Sequence, residues 1–349
     1  MIERSEENPL IKPSDVAPSR DDFEVIGVFN AAAFEVGKRT LLLLRVAERV
    51  KNDDEGKVLA PFWNSDTQQI EIKVFDKSDK DICFDDPRIV KTKEKIYLTS
   101  LSHFRAAWSE DGVHFEIEKN PSFSAATAYE AYGVEDARLQ RIEGQYYLTY
   151  SAVSERGIAT ALAVSEELQT FSRKGLIFLP NNRNVALFPE KIQGQYWALH
   201  RPFGHGWSEG AIWMATSLDA LHWGSYELLM EPRLDGWDDF KIGAGAPPIK
   251  TEKGWILIYH GVDTSEKYSL GAVLLDLENP MKILGRSQRP LLQPEVPYER
   301  EGFFGNVVFT CGAIRRENNQ IDIYYGASDE TLCLASLSVE ELICHVKKC

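Results

Sequence analysis

The sequence predicts an all-β protein, and more narrowly a β-propeller. Three observations carry that expectation. A strand, a tight glycine turn and a second strand recur about every fifty to sixty residues, most clearly at Asp136–Ser151, Phe188–Arg201 and Ala246–Gly261. Apolar and polar residues alternate with period two through these stretches, the spacing of a strand rather than a helix. A turn of common shape follows the second strand in several repeats: Ser109-Glu-Asp-Gly-Val-His-Phe115, Ser165-Glu-Glu-Leu-Gln-Thr-Phe171 and Ser217-Leu-Asp-Ala-Leu-His-Trp223. Three or four short antiparallel strands per unit, repeated around an axis, make propeller blades.

Residues 1–20, interrupted by Pro13 and Pro18, are expected to form an extended arm. Hairpins then begin near Phe29-Asn30, Asp86, Asp136, Phe188, Ala246 and Asn306. The hairpin at Asp86 could be an elaboration of its neighbour, so the spacing allows five or six blades. Asn52–Gly56, rich in acids, reads as a solvated loop. In the shared turn, Ser and Asp side chains can accept from nearby backbone N–H groups, and the closing aromatic is expected to cap the sheet edge. A last helix is expected within Ser336–His345, with Ser338 as N-cap ahead of Glu340 and Glu341, in a tail spanning 336–349. No linker or low-complexity segment divides the chain, so 1–349 is expected to be a single domain.

At 349 residues and 44% hydrophobic content the chain can bury a large core. A formal net charge of -14 repels phosphate backbones and anionic lipid, which argues against nucleic-acid and membrane partners. Met1–Asn8 is charged and lacks an apolar signal core, and no apolar run is long enough to span a bilayer. The five cysteines, Cys83, Cys311, Cys333, Cys344 and Cys349, are odd in number and not closely paired. They are expected to be reduced thiols in a cytoplasmic protein. Cys344, His345 and Cys349 have no second ligand pair nearby, so no metal site is expected.

Antiparallel pairing puts the start of a blade's first strand and the end of its second on one face of the disc. Near first-strand starts stand Asn30, Asp136, Arg183, Lys241 and Asn306; near second-strand ends stand Arg45, Arg201, His260 and Asp329. Charges converging at one channel mouth are costly unless matched by a ligand. Several cations around one acid, in a chain of negative net charge, suggest an oxyanion site, because guanidinium groups bind phosphate oxygens bidentately. A carboxyl group beside them suggests proton donation to a leaving oxygen. Plainer readings exist for each residue. Asp136 could be a turn acceptor, Arg201 an ion-pair partner of Glu190, and His260 a satisfied core histidine. Trp207, Trp213, Trp223 and Trp237 could be sugar platforms, although such residues more often pack blades.

At these residues the chain resembles the mannoside phosphorylases of glycoside hydrolase family 130. The resemblance runs through Gly133-Val-Glu-Asp-Ala-Arg138, Asn182–Ile192, Leu199-His-Arg-Pro202, Lys241–Pro248, Gly254-Trp255, Tyr259-His-Gly-Val262, Leu275–Pro280, Gly305–Phe309 and Tyr324–Asp329, from about residue 24 to 337. It implies a five-bladed β-propeller with a central active-site cleft. It also implies inverting phosphorolysis of a β-mannoside to α-mannose 1-phosphate, with inorganic phosphate as co-substrate and no cofactor. Asp136 matches the family's proton donor, thought to act through the mannose 3-hydroxyl. Arg183, Arg201, Lys241 and His260 match phosphate-binding positions. Asn30, Arg45, Tyr259 and Asp329 match positions around the transferred mannose.

Two departures stand out: Ala137 follows the acid where the family often has Pro, and the Asp86 hairpin is an insertion relative to shorter members. The insertion and Ser151–Ala159 are similar to members acting on β-1,2-linked mannose, so β-1,2-mannobiose or a short β-1,2-oligomannan is the expected substrate. A β-1,4-mannoside phosphorylase remains an alternative. Another is a β-mannosidase using Glu190 or Glu135 as base, and a third is a sugar-binding propeller without turnover. A loop such as 49–57 could cover the cleft of a neighbouring subunit in a homo-oligomer.

Overall fold

The computed structural model describes residues 2–204 and 210–347; Trp207 and Cys349 lie outside them. Five antiparallel sheets of four or five strands form the blades of a ring. Blade I comprises Phe23–Val36, Arg39–Val50, Leu101–Ser109 and Glu116–Ile117. Blade II comprises Val134–Ile142, Gln145–Ser154, Gly157–Ser165 and Ser172–Phe178. Blade III comprises Asn182–Leu187, Tyr196–Pro202, Ile212–Ser217 and Gly224–Met230. In blade IV, Lys241–Ala244 and Ile249–Thr251 share the partner Gly254–Val262, followed by Tyr268–Leu275 and Ile283–Arg286. Blade V runs Val308–Arg315, Gln320–Ala327 and Thr331–Ser338, and its fourth strand is Glu3–Arg4 from the other end of the chain.

Within the expected N-terminal arm, Glu3–Arg4 thus complete blade V, and Ile11 pairs further along with Leu332. The Asp86 hairpin is an elaboration and not a sixth blade. Lys57–Asn64 with Gln69–Asp76, and Ile89–Lys91 with Ile96–Leu98, form two small sheets inserted between the second and third strands of blade I. Ala60, Phe75 and Val90 give this insertion its own small core.

The core lies between blades, which is why both faces of many strands are apolar. Leu41 and Leu43 of blade I pack with Leu139, Leu148 and Tyr150 of blade II, and Phe188 and Met214 of blade III with Trp255 and Leu257 of blade IV. Truncating one such buried leucine to alanine typically costs about 2–5 kcal/mol. The shared turn forms as its sequence predicts. Asp111 Oδ1 accepts from the backbone N–H groups of Val113 and His114, and Asp219 Oδ1 from those of Leu221 and His222. In blade II Ser165 Oγ accepts from Leu168 N at 2.9 Å. Ser338 caps the final helix, Val339–Lys347, with its Oγ accepting from Glu341 N at 3.1 Å. Among the described residues no helix is long and apolar enough to cross a membrane.

Candidate active site

The innermost strands of blades I, II and III each carry a β-bulge at the same level of the ring. Phe29 pairs with Arg45 and Ala32 with Leu43, which leaves Asn30 and Ala31 together opposite Leu44. Asp136 and Ala137 stand likewise opposite Tyr150, and Asn184 and Val185 opposite His200. The first residue of each bulge has left-handed backbone, with φ of 49° at Asn30, 53° at Asp136 and 57° at Asn184. Asn and Asp tolerate that conformation better than other residues carrying a side chain. A bulge re-aims side chains, so Glu135 and Asp136, adjacent in sequence, both reach the central pocket. Asp136 and Arg183 stand near the starts of their strands, as expected from sequence, whereas Asn30 is carried at a bulge in the middle of its strand.

The pocket has a volume of about 320 Å³, near the lower end for small-molecule sites. On one side lies an acid cluster around a single cation. Arg45 Nη1 donates to Asp136 Oδ1 at 2.9 Å, and Arg45 Nη2 pairs with Glu135 Oε1 at 2.7 Å. Asn30 Nδ2 also donates to Asp136 Oδ1, at 3.0 Å. Asp329 lines the same wall. Burial would raise the pKa of Asp136, but Arg45, Arg138 and the hydrogen bonds from Asn30 and Arg45 outweigh it and hold the group below the usual carboxylate range. Glu135 is pushed up by burial, with Arg45 opposing and Asp136 adding to the rise. Asp329 is pushed up to about 6 by burial, which Arg45 opposes and Asp136 reinforces. Arg138 lies beneath the acid, bonding the carbonyls of Asp136, Ala244 and Gly245 and thereby tying blade II to blade IV.

Facing the acids is a cationic wall. Arg183 and Arg201 are direct cross-strand partners, an arrangement that destabilises a sheet when charges are alike. Arg201 Nη1 lies 3.2 Å from His260 Nε2. A guanidinium has only protons to give, so the imidazole accepts there and carries its own proton on Nδ1. Burial, then Arg201, Arg138, Lys241 and Arg183, keep His260 neutral, its pKa well below the ordinary value. Burial and Arg183 lower the pKa of Arg201 to about 9, and burial also lowers that of Arg183. Among the described residues, five buried polar atoms here have no partner: Asn30 Oδ1, Asn184 Oδ1, Arg183 Nε, Arg201 Nε and His260 Nδ1. Each such orphan costs about 1–3 kcal/mol, so this side of the pocket is held at the expense of stability. A Cβ on Gly243 would stand 2.5 Å from His260 Cε1 and 2.9 Å from Asn184 Oδ1, so glycine is required where these side chains meet.

Of the residues expected from sequence, Asn30, Arg45, Asp136, Arg183, Arg201, His260 and Asp329 line this one pocket. Two others do not. Lys241 is half-buried beside the pocket and not among its lining, its Nζ 5.1 Å from the ring centre of Tyr268, which does line the cavity. Tyr259 is fully buried within blade IV, where its hydroxyl donates to Asp238 Oδ2 at 2.8 Å; it is a blade residue and does not reach the sugar pocket. Asn306 is exposed outside the pocket, and Glu190 pairs with Lys250 on the surface, away from Arg201. Trp223 packs on Phe178 and Trp237 on Tyr259, which favours the packing role for both. Residues missed by the sequence reading complete the rim. Asp86 and Arg88 come from the insertion, paired at 2.7 Å, with Arg88 lying 4.6 Å over the ring of Phe304. Asn184 is the other omission; its signal was the Asn of Asn182-Arg-Asn at the level of Asp136.

This arrangement defines a class of protein: a propeller enzyme whose acids and oxyanion-binding cations converge on one sugar-sized cleft. The comparisons with known proteins agree. The glycoside hydrolase family 130 model described as β-1,4-mannooligosaccharide phosphorylase matches residues 100–348. A β-1,2-mannobiose phosphorylase of Listeria innocua is 42% identical over 346 residues, covering 98% of this chain and 97% of the relative. A 1,2-β-oligomannan phosphorylase of a Thermoanaerobacter species is 38% identical over 249 residues, covering 70% of this chain and 82% of that one. The solved structure of the Listeria innocua β-1,2-mannobiose phosphorylase in complex with β-1,2-mannobiose superposes with a TM-score of 0.95 at 41% identity, covering 99% of both chains. The chain belongs to glycoside hydrolase family 130.

Proposed function

We propose that this protein is an inverting phosphorylase of β-1,2-mannobiose, or of short β-1,2-oligomannans, needing no cofactor besides its co-substrate phosphate. The observation that carries the reading is the pair of cross-strand arginines beside a neutral histidine, in the same pocket as the acid cluster. A hydrolase needs a carboxylate to activate water. Glu190 is outside the pocket, and Glu135 is engaged by Arg45.

In this mechanism phosphate binds against Arg183, Arg201 and His260, with Lys241 adding positive potential from beside the pocket. One phosphate oxygen attacks the mannosyl anomeric carbon from the face opposite the β-linked oxygen. The new C–O bond forms as the glycosidic bond breaks, which gives α-mannose 1-phosphate. The departing oxygen takes a proton that originates on Asp136, relayed through the mannose 3-hydroxyl as the family resemblance implies. Free Asp136 is held ionised by its cations. Bringing in a phosphate offsets the positive potential of Arg183 and Arg201, so proton affinity at Asp136 rises when the nucleophile arrives. The order of events follows from electrostatics: the acid is armed by the anion.

Asn30, Arg45, Glu135 and Asp329 surround the transferred sugar, and Asp86, Arg88 and Phe304 of the rim face the leaving sugar. The test is β-1,2-mannobiose cleavage with and without inorganic phosphate, products identified by mass and anomeric configuration. The expected result is α-mannose 1-phosphate plus mannose, formed only with phosphate. Mannose released at the same rate in both conditions would refute it.

A further inference from the structure

Three blades repeat a buried carboxylate clamp that lies outside the pocket. In blade II, Glu130 accepts from the Tyr150 hydroxyl at 2.7 Å and from Arg173 Nε at 3.0 Å. In blade IV, Asp238 accepts from the Tyr259 hydroxyl at 2.8 Å, from Arg286 Nη2 at 2.6 Å and from Arg233 through both Nε and Nη2 at 2.9 Å. In blade V, Glu299 accepts from the Tyr325 hydroxyl and from Arg4 Nε, both at 2.8 Å. The parts come from the same places each time. The carboxylate sits in the loop leading into the innermost strand, the tyrosine on the second strand, and one arginine on the outermost strand. Blades I and III have Leu44 and His200 at the tyrosine position.

The residue after each tyrosine is Ser151, His260 and Gly326 respectively, and of these three His260 lines the pocket. In blade IV the clamp therefore borders the phosphate side. Tyr259 fixes the strand one residue before His260. The loop carrying Asp238 runs directly into Lys241, held by Phe240 N donating to Val262 O at 3.0 Å. Trp237 of that loop lies on the Tyr259 ring, with 5.5 Å between centroids, and so close to Gly261 and Gly271 that no side chain would fit there. Arg286 Nε donates to the Tyr259 hydroxyl at 3.2 Å, so that one oxygen joins the loop, the second strand and the outer strand.

We infer that the Tyr259–Asp238–Arg286 clamp is a positioning device for phosphate capture, setting His260 and the Lys241 loop against the facing arginines. The inference rests on the phosphate role proposed above. Tyr259 touches no substrate; it acts through the residue beside it. A clamp serving stability alone would behave alike in blades IV and V, which makes Tyr325 the internal comparison, since Gly326 after it brings no side chain to the pocket.

The experiment compares Tyr259→Phe, Tyr325→Phe and Arg201→Met by KM for phosphate, KM for β-1,2-mannobiose, kcat and Tm. Both tyrosine variants are expected to lower Tm. Tyr259→Phe removes two hydrogen bonds, to Asp238 and from Arg286, and raises the phosphate KM about 5- to 10-fold, the value of one of them, with the mannobiose KM within about twofold. Tyr325→Phe leaves the phosphate KM unchanged. Should Tyr259→Phe fold poorly, Arg286→Met cuts the outer arm alone and is expected to move the phosphate KM in the same direction. If Arg201→Met raises the phosphate KM while Tyr259→Phe and Arg286→Met do not, the clamp is structural and the inference is overturned. If Arg201→Met also leaves it unmoved, the phosphate site itself is misplaced.

Discussion

Replacing Arg201 by methionine keeps most of the side-chain bulk and removes one cation from the proposed phosphate wall. Arg201 is buried, gives Nη1 to His260 and has no partner for Nε among the described residues. A hydrogen bond to a charged group contributes about 1.5–3 kcal/mol, and about 1.4 kcal/mol is a factor of ten. Arg201→Met should therefore raise the phosphate KM by about 10- to 150-fold, while the mannobiose KM changes less than about threefold. Stability should move the other way. The folded pKa of Arg201, about 9, lies below that of the unfolded chain. The folded state thus binds this proton less tightly, and the cation costs stability at all pH values below about 9. The cost fades as pH rises through that value. Without ligand at neutral pH, Arg201→Met should melt no lower than the wild type, and added phosphate should raise its Tm much less. Steady-state kinetics with each substrate varied, alongside thermal melts with and without phosphate, supply the numbers. Equal effects on both KM values, or an undiminished phosphate-induced rise in Tm, would refute the reasoning.

Three further outcomes are expected. Asp136→Asn keeps a planar acceptor for Asn30 and Arg45 but no donatable acid proton, so kcat should fall about 10²- to 10⁴-fold with phosphate-induced stabilisation retained; kcat within about tenfold of wild type would remove Asp136 as the acid. Asp329, pushed up to about 6, binds a proton more tightly folded than unfolded, so unliganded stability should fall as pH rises from its unfolded value through about 6; Asp329→Asn should flatten that slope in Tm-against-pH curves, and an unchanged slope would locate the titration elsewhere. Arg88→Ala should raise the KM for mannose as acceptor in the synthetic direction about 5- to 30-fold and spare the phosphate KM; equal effects would place Arg88 outside the acceptor side.

Much of the ring was legible because period-two alternation and glycine turns mark each hairpin, and because the Ser/Asp turns repeat in sequence as they do in space. The blade count needed the family resemblance, since a hairpin of the four-strand insertion looks like a blade when only hairpins are counted. The strand Glu3–Arg4 is too short to show alternation, so its pairing with the other end of the chain left no local trace. Tyr259 was misplaced by one residue of register: neighbours on a strand face opposite ways, so the strand that turns His260 to the pocket buries Tyr259 in the blade. Glu135 and Asp136 broke the same rule in reverse. Only a bulge lets two successive residues reach one cavity, and the Asp with positive φ that makes it reads in sequence as an ordinary strand start.

The last blade borrows its outer strand from residues 3 and 4, which a ribosome makes some 300 residues before the strands they join. Four blades can assemble during synthesis, but the fifth stays incomplete until Ala335 and Ser336 emerge and Arg4 and Glu3 dock against them. Arg4 also holds Glu299, so one short segment closes both a sheet and a buried ion pair. Deleting Glu3 and Arg4, or crowding them with a bulky group, would leave the last blade with a bare strand edge, available to a neighbouring molecule.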